Sequence, residues 1–102
     1  MDLDALNAAF ALPDVLRFVE GRGGLTLIEI DNGLARATLT THGAQVLSYR
    51  PAEARDDLLF VGERAYFAPD QEIKGGVPIC WPWFGRDPAE PARVIHGFAR
   101  FR

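Results

Sequence analysis

The sequence predicts an all-β fold built on an antiparallel sheet. Residues 25–30 are rich in β-forming side chains, and residues 34–40 alternate apolar and polar side chains with the period of two that a strand requires. Asn32 and Gly33 lie between these segments, and an Asn-Gly pair favours the positive φ angles of a tight hairpin turn. Residues 44–49 follow as a third strand. Short strands separated by turn signals indicate an antiparallel sheet.

The chain begins with a segment of different character. Asp2 and Asp4 precede a run rich in Ala and Leu. Acidic residues stabilise a helix N-terminus, and Ala and Leu are good helix formers, so a short helix is predicted that ends by Pro13. Residues 15–19 form an apolar run that Arg17 interrupts, and the sequence leaves its type open.

Three further segments complete the predicted organisation. Residues 58–61 form a short apolar run, which predicts a fourth short strand. Residues 51–57 are polar and without periodicity, and residues 85–91 consist largely of Gly, Pro and charged residues. Both are therefore predicted to be loops.

Length, composition and charge restrict the function. A chain of 102 residues is at most one domain, and 48% hydrophobic with 25% charged residues is ordinary for a soluble globular protein. The net charge of −3 argues against a nucleic-acid partner. Cys80 is the only cysteine, which excludes an intrachain disulfide, and no apolar run approaches the length of a membrane span. We therefore expect a soluble cytoplasmic protein without membrane contact.

The most informative stretch is residues 73–85, where a Lys-Gly-Gly turn precedes two Trp, one Phe and two Pro. Residues 96–100, His-Gly-Phe-Ala-Arg, follow shortly after. Glycines allow a backbone to approach a ligand, aromatics supply apolar faces, and Lys, His and Arg supply directed polar contacts. This mixture predicts one side of a small-molecule pocket.

Each candidate side chain also has a structural interpretation. Lys74 is either a solvated turn lysine, the simpler interpretation, or an anion contact beside accessible backbone N–H groups. His96 is either a hydrogen-bonded core histidine or a pocket residue, and Arg100 is either a salt-bridge partner or a ligand contact. His42 is interpreted as structural.

The apolar and thiol side chains of the stretch are interpreted more simply. Trp81, Trp83 and Phe84 are core residues by default, although one of them could line a sugar site. Cys80 lies in an apolar setting that favours an inert thiol, and without a second Cys or clustered His a zinc site is not expected.

The two strings resemble the aldose-1-epimerase, or galactose mutarotase-like, superfamily. Within it they look most like the D-hexose-6-phosphate mutarotases, also called glucose-6-phosphate 1-epimerases. The signature of that subfamily reads Arg-Gly-Gly-(Val/Ile)-Pro, an aromatic and proline run ending in Phe-Gly, and His-Gly-(Phe/Leu)-Ala-Arg. These strings correspond to residues 74–78, 80–85 and 96–100. Lys74 stands where the family usually carries Arg.

The resemblance implies a fold and a domain organisation. Residues 1–102 would be the N-terminal part of a single domain, a truncated galactose mutarotase-like β-sandwich (supersandwich) of which the antiparallel sheet forms one end. Family members are much longer. Strand edges and apolar faces would then lack cover, so we expect the chain alone to form a homodimer, to be locally disordered, or both.

The resemblance also implies an activity, the interconversion of the α and β anomers of a hexose 6-phosphate. In the family a carboxylate removes the C1 hydroxyl proton while a histidine protonates the ring oxygen, without cofactor or metal. That Glu and that His come later in the family sequence, so no catalytic residue is expected in this chain. The implied substrate-binding residues are Lys74 for the phosphate, Arg100 for the phosphate or the sugar, His96 for binding or orienting the sugar, the backbone of Ile95, and Trp83 and Phe84 as apolar lining.

Two functions therefore remain open. The chain is either the N-terminal segment of a hexose-6-phosphate mutarotase, inactive by itself, or a non-catalytic mutarotase-like β-module that binds a sugar phosphate or a protein partner.

Overall fold

A computed structural model of the chain describes residues 2–102. Its regular elements are helix α1 (Leu3–Phe10) and the strands β1 (Leu16–Glu20), β2 (Thr26–Asp31), β3 (Ala35–Thr40) and β4 (Gln45–Pro51). The strands form one antiparallel sheet in the order β1-β2-β3-β4. Short 3-10 turns lie at Arg22–Gly24, His42–Ala44 and Ala99–Phe101. The predicted antiparallel sheet is confirmed.

Helix α1 begins and docks through side-chain hydrogen bonds. The carboxylate of Asp2 accepts a 2.7 Å hydrogen bond from the backbone N–H of Ala5, as an N-cap residue does. The Asn7 side chain donates to the Phe18 carbonyl and accepts from the Phe18 N–H, both at 2.8 Å. Asn7 thereby attaches the predicted helix to β1, and the open segment 15–19 becomes a strand because β2 pairs with it.

The hairpin between β2 and β3 follows the Asn-Gly prediction. Gly33 has a φ of +82°, which glycine adopts without steric cost. The Asn32 side chain accepts 3.0 Å hydrogen bonds from the backbone N–H groups of Leu34 and Ala35. This turn sets a register in which Ile28 faces Leu39.

The two faces of the sheet are covered by different segments. On one face Phe18 pairs with Ile28, and α1 reaches this face through Phe10, whose ring centroid lies 6.4 Å from that of Phe18. On the other face lies the main core, formed by Leu25, Leu47 and Ile73 with Leu27, Val61 and Phe67 packed against it. Ile73 directly precedes Lys74, so the core anchors the glycine turn.

The predicted strand over residues 58–61 is wrong. Val61 makes one antiparallel bridge, to Gly75, and no ladder forms there within residues 2–102. The cause is the turn before it, where the Asp57 carboxylate accepts hydrogen bonds from the N–H groups of Tyr49 and Leu59. Burial of the Asp57 carboxyl raises its pKa, but these bonds and one from the Ser48 hydroxyl outweigh it, so the pKa lies below its ordinary value.

Candidate substrate-binding site

The Lys-Gly-Gly turn is held between two other segments by backbone hydrogen bonds. The Gly76 N–H donates to the Phe60 carbonyl at 3.0 Å, and the Val77 N–H donates to the Val46 carbonyl at 2.8 Å. The turn is therefore hydrogen-bonded to β4 through Val46 and to the segment around Phe60, and these two contacts fix the position of Lys74.

Glycine is required at this turn by close backbone approach. Gly76 has a φ of +61°, and a Cβ added there would lie 2.1 Å from the Val46 carbonyl oxygen. Gly75 has a φ of +145°, and a Cβ there would lie 2.9 Å from the Phe60 carbonyl oxygen. No L side chain fits either position without a backbone shift. The Lys74 side chain projects from this turn and is 85% exposed.

Gln45, which the sequence analysis did not single out, clamps the turn from beneath. Its side chain is fully buried, and its Nε2 donates to the carbonyl of Ile73 at 3.0 Å and to that of Gly75 at 2.6 Å. One amide thus holds the main chain on both sides of Lys74. A polar residue opposite Thr40 at an inward-facing strand position was the signal that could have identified it.

The second string docks against the first through Trp81. The carbonyl of Trp81 accepts hydrogen bonds from the N–H groups of Phe98, at 2.9 Å, and Ala99, at 3.1 Å. Gly97 makes this possible, since a Cβ on it would lie 2.1 Å from the same oxygen. The two strings, which lie apart in the sequence, are therefore in direct contact in the fold.

Arg100 is the best-positioned cation of the site. Its backbone packs on the His42–Ala44 turn, where a Cβ on Gly43 would lie 3.0 Å from the Arg100 Cα. Its side chain is only 12% exposed, and its Nη2 donates to the Ile95 carbonyl at 2.6 Å. The Nε N–H is buried and has no acceptor among residues 2–102.

Glu72 brings Lys74 and Arg100 together. Its Oε2 contacts Nη1 of Arg100, and its Oε1 lies 3.8 Å from Nζ of Lys74. Glu72 carried no motif signal in the sequence, and its place two residues before Lys74 was the one local sign of their contact. The two predicted phosphate contacts therefore meet at one anion.

His42 supports the same segment from a distance. The residue is buried, and its Nε2 is hydrogen-bonded to the carbonyl of Gln71, next to Glu72. The structure gives His42 the structural position that the sequence predicted.

His96 faces the aromatic segment instead of Lys74. The Nδ1 of its ring accepts a 2.8 Å hydrogen bond from the backbone N–H of Gly85. The backbone N–H of His96 in turn donates to the Gly85 carbonyl, also at 2.8 Å. An Nδ1 that accepts a hydrogen bond leaves the proton of the neutral ring on Nε2. The ring lies against Phe84, with 4.9 Å between centroids. His96 therefore presents a donor, with its orientation set by the backbone.

The aromatic residues form an exposed strip. Trp81 and Trp83 meet Phe98 edge to face, at centroid distances of 5.8 and 6.0 Å, and the Trp83 Nε1 donates to the Val94 carbonyl. Trp81 is 59% and Phe84 79% exposed. The default expectation that they are core residues is wrong for these two, because they lie outside the main core of Leu25, Leu47 and Ile73.

Of the predicted site residues, Lys74 and Phe84 lie on an open surface, whereas Arg100 is largely buried. A cavity of about 600 Å³ occurs elsewhere, against β1 to β3, where Arg17 pairs with Glu29 and Arg36 pairs with Asp31. None of the predicted site residues lines it. Over residues 2–102 there is no His, Cys, Asp and Glu cluster suited to a metal ion, and no helix has the length and apolarity needed to cross a membrane.

Known proteins resemble the chain in sequence and in structure. A protein from Escherichia coli (strain K12), provisionally named a glucose-6-phosphate 1-epimerase, is 40% identical over 76 residues, which is 74% of this chain and 25% of the relative. A Salmonella typhimurium (strain LT2) protein with the same provisional name is 37% identical over 100 residues, 93% of this chain and 33% of the relative. No protein-family model matches the chain.

The fold comparison agrees with the sequence comparison. The crystal structure of YeaD from Salmonella typhimurium, provisionally described as a mutarotase, superposes with a TM-score of 0.76 at 35% identity. The match covers 94% of this chain and 34% of YeaD. The chain thus spans a quarter to a third of the length of these two epimerase relatives. The shared sequence and the shared fold relate the chain to the mutarotase-like family over the part of those relatives that it matches.

Proposed function

We propose that the chain is the N-terminal part of an enzyme that interconverts the α and β anomers of a hexose 6-phosphate, and that it carries the phosphate-binding wall of the active site. The observation that supports this most is the convergence of Lys74 and Arg100 on a single carboxylate, that of Glu72. Two cations that already share one anion are suitably spaced to share a phosphate.

The two cations have complementary roles in this proposal. Arg100 is largely buried and held by the Ile95 carbonyl, so it offers a preorganised, partly desolvated charge. Lys74 is exposed and adaptable, and it offers its ammonium group, because the N–H groups of Gly76 and Val77 in its turn already donate to the Phe60 and Val46 carbonyls. The phosphate would bind between them.

The remaining residues would hold the sugar. His96 donates from Nε2 to a sugar oxygen and does not exchange protons, because the Gly85 N–H occupies its other nitrogen. The backbone of Ile95, which directly precedes His96 and whose carbonyl accepts a hydrogen bond from Arg100, supplies a weaker polar contact. The faces of Trp83 and Phe84 pack against the C–H groups of the hexose.

The chemistry would be completed by residues outside this chain. A carboxylate removes the C1 hydroxyl proton while a histidine protonates the ring oxygen, the ring opens, the C1–C2 bond rotates, and closure from the other face inverts C1. No cofactor or metal takes part. We assign both groups to the part of the relatives' length that this chain does not match. The chain alone should therefore leave the mutarotation rate of fresh α-glucose 6-phosphate, followed by polarimetry, at its spontaneous value; acceleration would refute this assignment.

Phosphate recognition is tested by calorimetric titration with glucose 6-phosphate. Lys74→Ala and Arg100→Ala should each weaken binding, and the affinity should fall with added salt. Lys74→Arg should strengthen binding, since a guanidinium can bind phosphate through two N–H groups. Arg17→Ala, which removes an exposed arginine that pairs with Glu29 and is not among the predicted site residues, serves as the control. Equal affinity for glucose and glucose 6-phosphate would refute the phosphate assignment.

A second candidate is a non-catalytic module that binds a protein partner or a second copy of itself. Large exposed apolar side chains favour it, notably Phe60, which is 81% exposed, and Phe84. Light scattering after size-exclusion chromatography distinguishes the cases, since a homodimer would elute at twice the monomer mass and a monomer at all concentrations would exclude self-association. We also propose a cytoplasmic location, which the single cysteine supports and fractionation would test.

A further inference from the structure

Glu72 occupies the position that the proposed function assigns to the substrate phosphate. Its two carboxylate oxygens are divided between the two cations, one in contact with Arg100 and the other 3.8 Å from Lys74. A carboxylate and a phosphate both present pairs of oxygens to such donors. Glu72 is thus an internal anion bound where an external one would bind.

The surroundings of Glu72 allow it to move. Its side chain is 26% exposed and starts from an irregular segment outside the helix and the strands. The main chain on either side is fixed independently, by the His42 contact to the Gln71 carbonyl and by the Gln45 contact to the Ile73 carbonyl. Rotation of the Glu72 side chain therefore need not disturb the backbone that carries Lys74.

We propose that Glu72 is a specificity-determining residue that competes with bound anions, so that a doubly charged phosphate displaces it and a singly charged anion does not. This inference rests on the proposed function. The free energy needed to displace Glu72 is the same for every ligand, whereas the electrostatic attraction of the ligand to Lys74 and Arg100 grows with its charge. A monoanion replaces the single negative charge of Glu72 by another and gains no electrostatic attraction. A phosphate monoester carries about two negative charges above its second pKa of about 6, so it attracts the two cations more strongly than Glu72 does.

The test compares two sugar anions and two charge-removing variants. Glucose 6-phosphate and gluconate, a dianion and a monoanion, are titrated calorimetrically at pH 8 into the full 102-residue chain. Glu72→Gln keeps the size and removes the charge. Glu53→Gln changes the net charge equally at an exposed position in the loop after β4, and is the matched control.

We expect Glu72→Gln to bind glucose 6-phosphate about tenfold more tightly, which corresponds to about 1.4 kcal/mol. Gluconate binding should become measurable in this variant, and Glu53→Gln should behave as the wild type. Unchanged or weaker glucose 6-phosphate binding by Glu72→Gln, with an unchanged unfolding midpoint, would overturn the inference. If Glu72→Gln does not unfold cooperatively, Glu72→Ala is held to the same criterion.

Failure of the inference is distinguishable from failure of the proposed function. If the wild type binds glucose 6-phosphate and Lys74→Ala weakens it, the phosphate site stands, and Glu72→Gln alone decides the competition. If only Glu72→Gln binds the phosphate, the two cations form an anion site, but the phosphate does not displace Glu72 and the inference is overturned. If neither binds, both the site and the competition are refuted.

Discussion

Substitution of Gly76 by Ala tests whether the Lys-Gly-Gly turn depends on close backbone packing. A Cβ at this position would lie 2.1 Å from the Val46 carbonyl oxygen and 3.0 Å from the Leu47 Cα. Both are main-chain atoms of β4, so no side-chain rotation can relieve the overlap. The residue also has a φ of +61°, which is unfavourable for any residue other than glycine.

The two effects give the expected magnitude. The left-handed conformation costs about 1–2 kcal/mol for an L residue. The forced displacement of β4 from the turn resembles overpacking, which costs typically about 1–3 kcal/mol. Gly76→Ala should therefore lower the free energy of unfolding by roughly 2–5 kcal/mol. In a domain of this size a loss of about 3 kcal/mol lowers the melting temperature by roughly 15 °C.

A matched glycine separates the two effects. Gly33 has a similar φ of +82°, but a Cβ added there would meet no atom within 4 Å. Gly33→Ala should therefore show only the conformational cost, about 1–2 kcal/mol. Urea denaturation followed by circular dichroism gives both values. The difference between the variants measures the packing of the turn on β4.

The same two glycine variants should also differ in ligand binding. Gly76→Ala should weaken glucose 6-phosphate binding, because the turn that carries Lys74 must shift, and Gly33→Ala should not. If the two variants lose equal stability within about 0.5 kcal/mol, the usual limit for a surface change, the close approach to Val46 is not a constraint and the argument for this turn fails.

Three further outcomes are expected. Gln45→Met removes two buried hydrogen bonds that hold the chain around Lys74, so chemical denaturation should show a loss of roughly 2–4 kcal/mol; a loss under 1 kcal/mol would contradict the clamp. Asn7→Ala removes both hydrogen bonds to Phe18 and should cost about 1–2 kcal/mol, with loss of helical ellipticity at 222 nm as the check; an unchanged spectrum and midpoint would contradict the docking role. The pKa of Asp57 is lowered in the folded chain, so its stabilising contribution is present above its unfolded pKa of about 3.9 and is lost as pH falls through the folded value. The melting temperatures of wild type and Asp57→Asn should therefore differ at pH 7 and converge towards pH 2. A difference that stays constant with pH would contradict a stabilising role of the ionised Asp57 carboxylate.

Much of the sheet could be predicted because its information is local. The capped N-terminal helix, the alternation in β3 and the Asn-Gly turn each depend on neighbours a few residues away. The strand over residues 58–61 was predicted wrongly because apolar character alone does not supply a partner, and the partner, near Gly75, lies beyond a long loop. Asp57 diverts the chain before a ladder can form.

By itself, the sequence determined the fold class, the family resemblance and the candidate cations Lys74 and Arg100. Only the tertiary structure decided that these two share Glu72, that Gln45 supports the turn between them, and that His96 is oriented by Gly85. The physical reason is that strand patterns and glycine turns are set by short-range sterics. A binding surface, by contrast, is set by which distant segments the sheet brings within hydrogen-bonding reach, and no local pattern records that distance.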